Sequence, residues 1–522
     1  MRSPIFIRSN WIENAPLYGR LRRLGETGRL SFHMPAWRGR FRAPSEWDTT
    51  ELPWSEDLND PGPCLKEASR RLADFYGAAR AYFLTEGSSF GLMAALLAAA
   101  GRGGKVLASS DIHRFLIQAA QRFSLHVAFA EQERKPFTPI ASPGSACLRR
   151  ALAAKPDAAV LLFAYPDYYG AMPSPEEAKE LWLFAREQGL RLVLDAAHGA
   201  LLPLMGRRFE ADIVVCSAHK TMPAPTGAAF LLLMREDEAL TAAVETALRL
   251  LRSSSPPLYV AAAADLARAF CASAEGQRAY EEQLCFIRKL AGELPEELLL
   301  YGGDPAEKRR DPLRVVLEIR EGPTGFRLQR ELAERQIDIE MADPKRLLLI
   351  PSLLSEETDY SRLASALRLI FHRLRNAPAI WRKAPELEAI DADYRALFMS
   401  PRRAWPPEDF AEAEHAIPGL NFTVESLPLS QAAGRRVAGS ILAYPPGLAA
   451  VWPGERFTEP MLQRLHALSC EGLHFTGAWA SDGLGASEAP GSPGLPEGCE
   501  ARLAVWPRGD GSAACVREPQ GG

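Results

Sequence analysis

The chain of 522 residues exceeds the roughly 250 to 300 residues that one hydrophobic core usually organises, so two or three domains are expected. With 47% hydrophobic and 24% charged residues and a net charge of -4, the composition is globular and suggests neither a nucleic-acid binder nor a membrane-surface protein. The eight cysteines are scattered without CxxC pairs, which points to reduced thiols rather than disulfides or a metal site; with no apolar leader and no membrane-length apolar run, a cytoplasmic location is expected.

In chain order, Leu65 to Tyr76 reads as a helix, Ala81 to Leu84 as a strand, Phe90 to Ala100 as a helix and Lys105 to Ala108 as a strand. Ala159 to Ala164 reads as a strand, Pro175 to Gln188 as a helix, and Arg191 to Leu194, Ile213 to Cys216 and Ala228 to Met234 as further strands. This alternation predicts an α/β domain around a mostly parallel sheet, and continuous apolar runs such as Val160-Leu161-Leu162-Phe163 suit strands covered on both faces. A second, α+β unit begins near Leu300, with strands Arg314 to Ile319 and Arg346 to Ile350 about a helix from Gly325 to Arg335. A third runs from about Leu387 to Trp479, and the Gly-, Pro- and Ser-rich stretch beyond it reads as a disordered tail.

Three features stand at predicted strand ends, where open α/β sheets place their ligands. The turn Thr85-Glu86-Gly87-Ser88-Ser89 leads into a helix and offers backbone N–H groups and hydroxyls to a phosphate, although capping serines are common at such turns. Asp195, closing Arg191-Leu192-Val193-Leu194, can pair with a protonated pyridine nitrogen or simply cap a helix. Lys220, in Ser217-Ala218-His219-Lys220-Thr221 and 25 residues after Asp195, is the residue type that forms Schiff bases. A lone lysine after a strand is usually a solvated side chain, but the ordered set is far more specific. His113 can stack on a planar ring or lie in a surface loop.

From about residue 31 to 480 these residues resemble the ornithine/lysine/arginine decarboxylase family of fold-type-I enzymes that use pyridoxal 5'-phosphate (PLP). The resemblance is carried by Ser31-Phe32-His33-Met34-Pro35, Asp57-Leu58-Asn59-Asp60-Pro61, Gly87-Ser88-Ser89, Pro166-Asp167-Tyr168-Tyr169-Gly170, Asp195-Ala196-Ala197-His198-Gly199, Ser217-Ala218-His219-Lys220-Thr221, Ser253-Ser254-Ser255-Pro256 and Tyr444-Pro445-Pro446-Gly447, in family order. It implies an aspartate aminotransferase-like large domain over 46–299 after an N-terminal arm (1–45), then smaller domains over 300–386 and 387–480 and a tail over 481–522. The opening motif begins 31 residues in, which resembles the short form of the family without an N-terminal wing domain.

By position the resemblance implies Lys220 as the Schiff-base lysine, Asp195 as partner of the ring nitrogen, His113 as the stacking residue and Ala197 packing against the ring. Gly87, Ser88 and Ser89 would hold the phosphate, His198, Ser217 and His219 would line the site, and Ser253 or Ser254 would reach a partner subunit's phosphate in a homodimer or larger homo-oligomer. The implied activity is decarboxylation of arginine, lysine or ornithine, feeding polyamine metabolism. A fold-type-I aminotransferase and a catalytically silent PLP-binding regulator are the alternatives. Asp48 and Glu51 are acidic candidates for the substrate's distal cation, while Ala36-Trp37-Arg38, Arg114-Phe115, Ala196, Gly227 and Leu258 depart from the family's usual residues.

Overall fold

A computed structural model of the protein describes residues 30–32, 55–109, 112–130, 150–153, 157–398, 404–405, 424–428, 432–437, 440–443, 448–473, 475–477 and 512–516. In chain order these form β1 (Leu30–Phe32), α1 (Pro63–Tyr76), β2 (Arg80–Leu84), α2 (Ser88–Ala100), β3 (Lys105–Ser109), α3 (Phe115–Phe123), β4 (His126–Ala130), β5 (Val160–Ala164), α4 (Pro175–Glu187), β6 (Arg191–Ala196), β7 (Ile213–Ser217), the one-turn α5 (Ala218–Thr221), β8 (Ala229–Leu233), α6 (Glu238–Leu251), α7 (Leu258–Cys271) and α8 (Ala274–Glu293). There follow β9 (Leu298–Tyr301), β10 (Val315–Ile319), α9 (Gly325–Glu334), β11 (Ile337–Ile339), β12 (Met341–Ala342), β13 (Arg346–Leu349), α10 (Glu357–Leu374) and α11 (Ala384–Phe398). The last elements are β14 (Ala404–Trp405), β15 (Val424–Pro428), β16 (Ile441–Ala443), β17 (Leu448–Val451), α12 (Glu459–Glu471), β18 (Phe475–Gly477) and β19 (Ser512–Val516).

The main sheet has the order β14-β4-β3-β5-β6-β7-β8-β2, and its five central strands, β4 through β7, are parallel. The expected α/β architecture with a mostly parallel sheet is therefore present. Alternate residues of the central strands enter different cores: Leu161, Leu192 and Val214 face one, Val160, Val193 and Ile213 the other. Burial on both faces explains why these strands read as unbroken apolar runs rather than as alternating ones. β8 runs antiparallel to β7, because the short link between Ser217 and Ala229 has no room for the crossover a parallel neighbour needs.

Local chemistry fixes several helix starts. Ser174 and Glu177 form a reciprocal capping box at α4, and the Asp237 carboxylate accepts from the Leu240 N–H at 2.9 Å to start α6. Helix α2 sits unusually close to the sheet: a Cβ on Gly91 would stand 2.4 Å from Leu84 Cδ1 and 2.9 Å from a Val215 methyl. That contact holds the start of α2 against the ends of the central strands.

β9, β10, β13 and β12 make a separate antiparallel sheet, as the α+β reading of that region anticipated. Several elements were not foreseen, among them α3, β4 and the helices α6, α7, α8, α10 and α11; α3 buries Phe115, Leu116, Ile117, Ala119, Ala120 and Phe123, so its apolar surface extends well beyond one stripe. β14 extends the main sheet at β4, drawing the C-terminal part of the chain onto its edge. In the stretch read as a disordered tail, Ser512–Val516 pair with Val424–Pro428; the rest of it lies outside the described residues. Among the described residues no helix is long and apolar enough to cross a membrane.

Candidate active site

A cavity of about 180 Å³ lies at the carboxyl ends of β5, β6 and β7, beside the first turn of α2 and the His113 segment. The structure brings ten of the twelve sequence-predicted residues into its wall: Gly87, Ser88, Ser89, His113, Asp195, Ala197, His198, Ser217, His219 and Lys220. Leu92, Phe115, Ala164, Pro166 and Tyr168 complete it. Ser253 and Ser254 are not part of it; both are exposed in the segment after α6. Asp48, Glu51, Ala36-Trp37-Arg38 and most of the opening motif lie outside the described residues.

The convergence follows from parallel strands whose carboxyl ends share one edge of the sheet. Gly87 has φ +86, a conformation that suits glycine, and its N–H donates to the Gly227 carbonyl at 2.8 Å. The turn thereby presents Ser88 and Ser89, the first residues of the 13-residue α2, to the cavity. Asp195, the penultimate residue of β6, accepts from the Ala197 N–H at 3.1 Å, which orients its carboxylate. The Phe115 N–H donates to His113 Nδ1 at 3.3 Å, and the two rings stack with planes 15° apart.

Burial sets the protonation states. Desolvation, reinforced by Lys220 and Arg114, brings His113 from 6.5 down to about 3. His219 falls to about 4 through burial, although its Nδ1 hydrogen-bonds the Ala228 carbonyl at 3.1 Å. The Lys220 ammonium is likewise disfavoured by burial, against the attraction of Asp195 and Glu340, and its proton affinity is lowered. The site therefore favours uncharged imidazoles and makes the Lys220 amine easier to deprotonate than a solvated one.

Three polar residues behind or beside the cavity escaped the sequence reading as functional positions. Lys220 Nζ stands 3.2 Å from His198 Nε2, and a terminal nitrogen of Arg314 stands 2.5 Å from His198 Nδ1. Arg314 is fully buried and lies one residue before β10, in the second sheet. Tyr168 packs edge-on against His198, with centroids 4.7 Å apart, and donates its hydroxyl to buried Glu340. Tyr168 was visible only as part of a motif, and an arginine opening a strand or a glutamate between two short ones carries no distinctive local signal.

Comparison with known proteins supplies an independent line. The model for "Orn/Lys/Arg decarboxylase, major domain" matches residues 48–297, and that for "Orn/Lys/Arg decarboxylase, C-terminal domain" matches residues 403–488. The chain is 27% identical over 485 residues to the uncharacterized protein YaaO of Bacillus subtilis (strain 168), covering 89% of this chain and 96% of that one. It is 26% identical over 471 residues to an arginine decarboxylase of the same organism, covering 85% and 91%. Among solved structures, the lysine decarboxylase LdcF of Francisella novicida superposes with a TM-score of 0.65 at 16% identity, over 88% of this chain and 72% of that one, a likeness of fold.

Proposed function

The chain belongs to the Orn/Lys/Arg decarboxylase family, and from that premise we propose that this decarboxylase uses PLP to convert a basic amino acid, arginine, lysine or ornithine, to its amine. The observation that carries the reading is the buried Lys220 amine in one cavity with Asp195, His113 and the Gly87-Ser88-Ser89 turn. These residues fit the cofactor on chemical grounds. A buried amine with lowered proton affinity suits an aldehyde, a buried carboxylate suits a pyridinium nitrogen, and a glycine-led helix start with two hydroxyls suits a phosphate.

When bound, PLP supplies an electron-withdrawing ring that takes up the electrons released as the Cα–carboxylate bond breaks. Asp195 would hold the proton on the ring nitrogen, and Gly87, Ser88 and Ser89 would receive the phosphate. His113, kept neutral by burial, would lie against the ring without repelling a cationic substrate, with Ala197 as a small packing partner. Lys220 would hold the cofactor between turnovers, and Lys220 or His219 would deliver the proton to Cα. The product would be a polyamine or polyamine precursor.

A homodimer with Ser253 or Ser254 reaching a partner's phosphate fits the exposure of both serines and their absence from this chain's own cavity wall. A cytoplasmic setting is in keeping with the proposed substrate and the scattered cysteines. The test incubates the protein and PLP with each of the three amino acids and measures carbon dioxide against keto acid. Carbon dioxide without keto acid is expected from at least one substrate; keto acid alone would identify an aminotransferase. The yellow absorbance should vanish in Lys220→Ala, and a wild type that takes up no PLP would overturn the reading.

A further inference from the structure

We propose that Arg314 is a positioning residue that fixes the tautomer of His198 and thereby holds Lys220 as the free amine; this deepens the PLP reading of the same site and rests on it. A guanidinium has only N–H donors and stays protonated in proteins. Its terminal nitrogen lies 2.5 Å from His198 Nδ1, so that ring nitrogen must be the acceptor and carries no hydrogen. Arg314 also approaches the His198 carbonyl at 3.4 Å, and it hands no acceptor to the ring.

A neutral imidazole with a bare Nδ1 carries its hydrogen on Nε2. That N–H faces Lys220 Nζ at 3.2 Å. An ammonium has no lone pair and could not accept it, whereas a free amine can. The reverse arrangement, an ammonium donating to Nε2, would leave an N–H on Nδ1 pointing at the guanidinium, and a doubly protonated ring would do the same. Only the sequence Arg314 donor, His198 relay, Lys220 acceptor satisfies all three groups.

Tyr168, edge-on to the His198 ring and tied through its hydroxyl to Glu340, helps keep the ring in this orientation. The charged and titratable groups facing the relay are Asp195 and Glu340, which favour the ammonium, and Arg314, which opposes it; His113 and His219 are neutral neighbours. Around Arg314 itself stand Asp311, Asp167, Glu340 and Tyr168. The relay thus offsets two carboxylates that would otherwise keep Lys220 protonated and unreactive toward an aldehyde.

The experiment follows imine formation between cofactor-stripped protein and PLP by absorbance across pH 6 to 9, in wild type, Arg314→Met and Arg314→Lys. Arg314→Met is expected to move the midpoint of the rate–pH profile upward by about one unit, roughly tenfold slower at neutral pH. Arg314→Lys keeps a donor without an acceptor and is expected to stay near the wild-type midpoint. A folded Arg314→Met protein, judged by an unchanged thermal midpoint, with the wild-type profile would overturn the proposal.

Should Arg314→Met not fold, nitrogen-15 spectra of the histidine-labelled, cofactor-stripped wild type decide directly. A hydrogen on His198 Nε2 is expected, and one on Nδ1 would overturn the relay. A wild type that forms the imine but releases no carbon dioxide defeats the decarboxylase reading while leaving the relay supported.

Discussion

Ser217 Oγ donates to Ser88 Oγ across 2.8 Å, a buried bond joining the end of β7 to the first residue of α2. Because α5 and Lys220 follow Ser217 directly, this bond couples the lysine end of the cavity to the turn proposed to receive phosphate. Ser217→Ala leaves the buried Ser88 hydroxyl without that donor, at a cost of about 1 kcal/mol. Titration of cofactor-stripped protein should then show PLP binding weakened roughly fivefold, and unchanged affinity would sever the proposed coupling.

Asp195→Asn preserves the shape of the side chain and an oxygen for the Ala197 N–H while removing the negative charge. If the carboxylate keeps the ring nitrogen protonated, kcat should fall on the order of 10²- to 10³-fold, the scale of a lost electrostatic contribution at a reacting centre. Thermal unfolding of the cofactor-stripped variant should match wild type. A kcat within threefold of wild type would remove Asp195 from the mechanism.

His113 and His219 are buried with proton affinities lowered from 6.5 to about 3 and about 4, in each case chiefly by desolvation. Between the unfolded and folded values, the unfolded chain binds the proton and the native one does not, so stability rises with pH across that window. Their contribution is complete above about pH 6.5 and is lost as pH falls toward about 4 for His219 and about 3 for His113, each at up to about 1.4 kcal/mol per unit. Urea denaturation of cofactor-stripped protein at stepped pH should show this slope, and His113→Phe should flatten it; equal slopes would mean His113 titrates normally.

At Gly227, one of the positions where the sequence departs from the family it resembles, the structure supplies a backbone reason for glycine. Its φ is +93, its carbonyl accepts the Gly87 N–H, and a Cβ there would stand 2.7 Å from the Thr85 carbonyl oxygen. Gly227→Gln should therefore lower stability by about 2 kcal/mol or more. Differential scanning calorimetry reads this as a lower Tm, and an unchanged Tm would show that the backbone relaxes freely.

The sequence by itself determined the α/β class and most of the cavity wall. Apolar runs bounded by Asp195 and by Ser217 to Lys220 identify buried strands, and parallel strands deliver their carboxyl ends to one edge without further information. The small-residue turn at Gly87 was equally legible, because its chemistry is local. Strand direction was less so: β8 has the composition of its parallel neighbours, and only the short link before it makes it antiparallel.

What only the tertiary structure decided is how Lys220 is surrounded. Arg314 and His198 are 116 residues apart, and Tyr168 and Glu340 are 172 apart; each pair meets because the second sheet packs beside the cavity. Local propensity and motif spacing report which chemistry a segment can offer. They carry no account of which distant donor a buried imidazole will face, and here that donor determines which of its nitrogens holds the hydrogen.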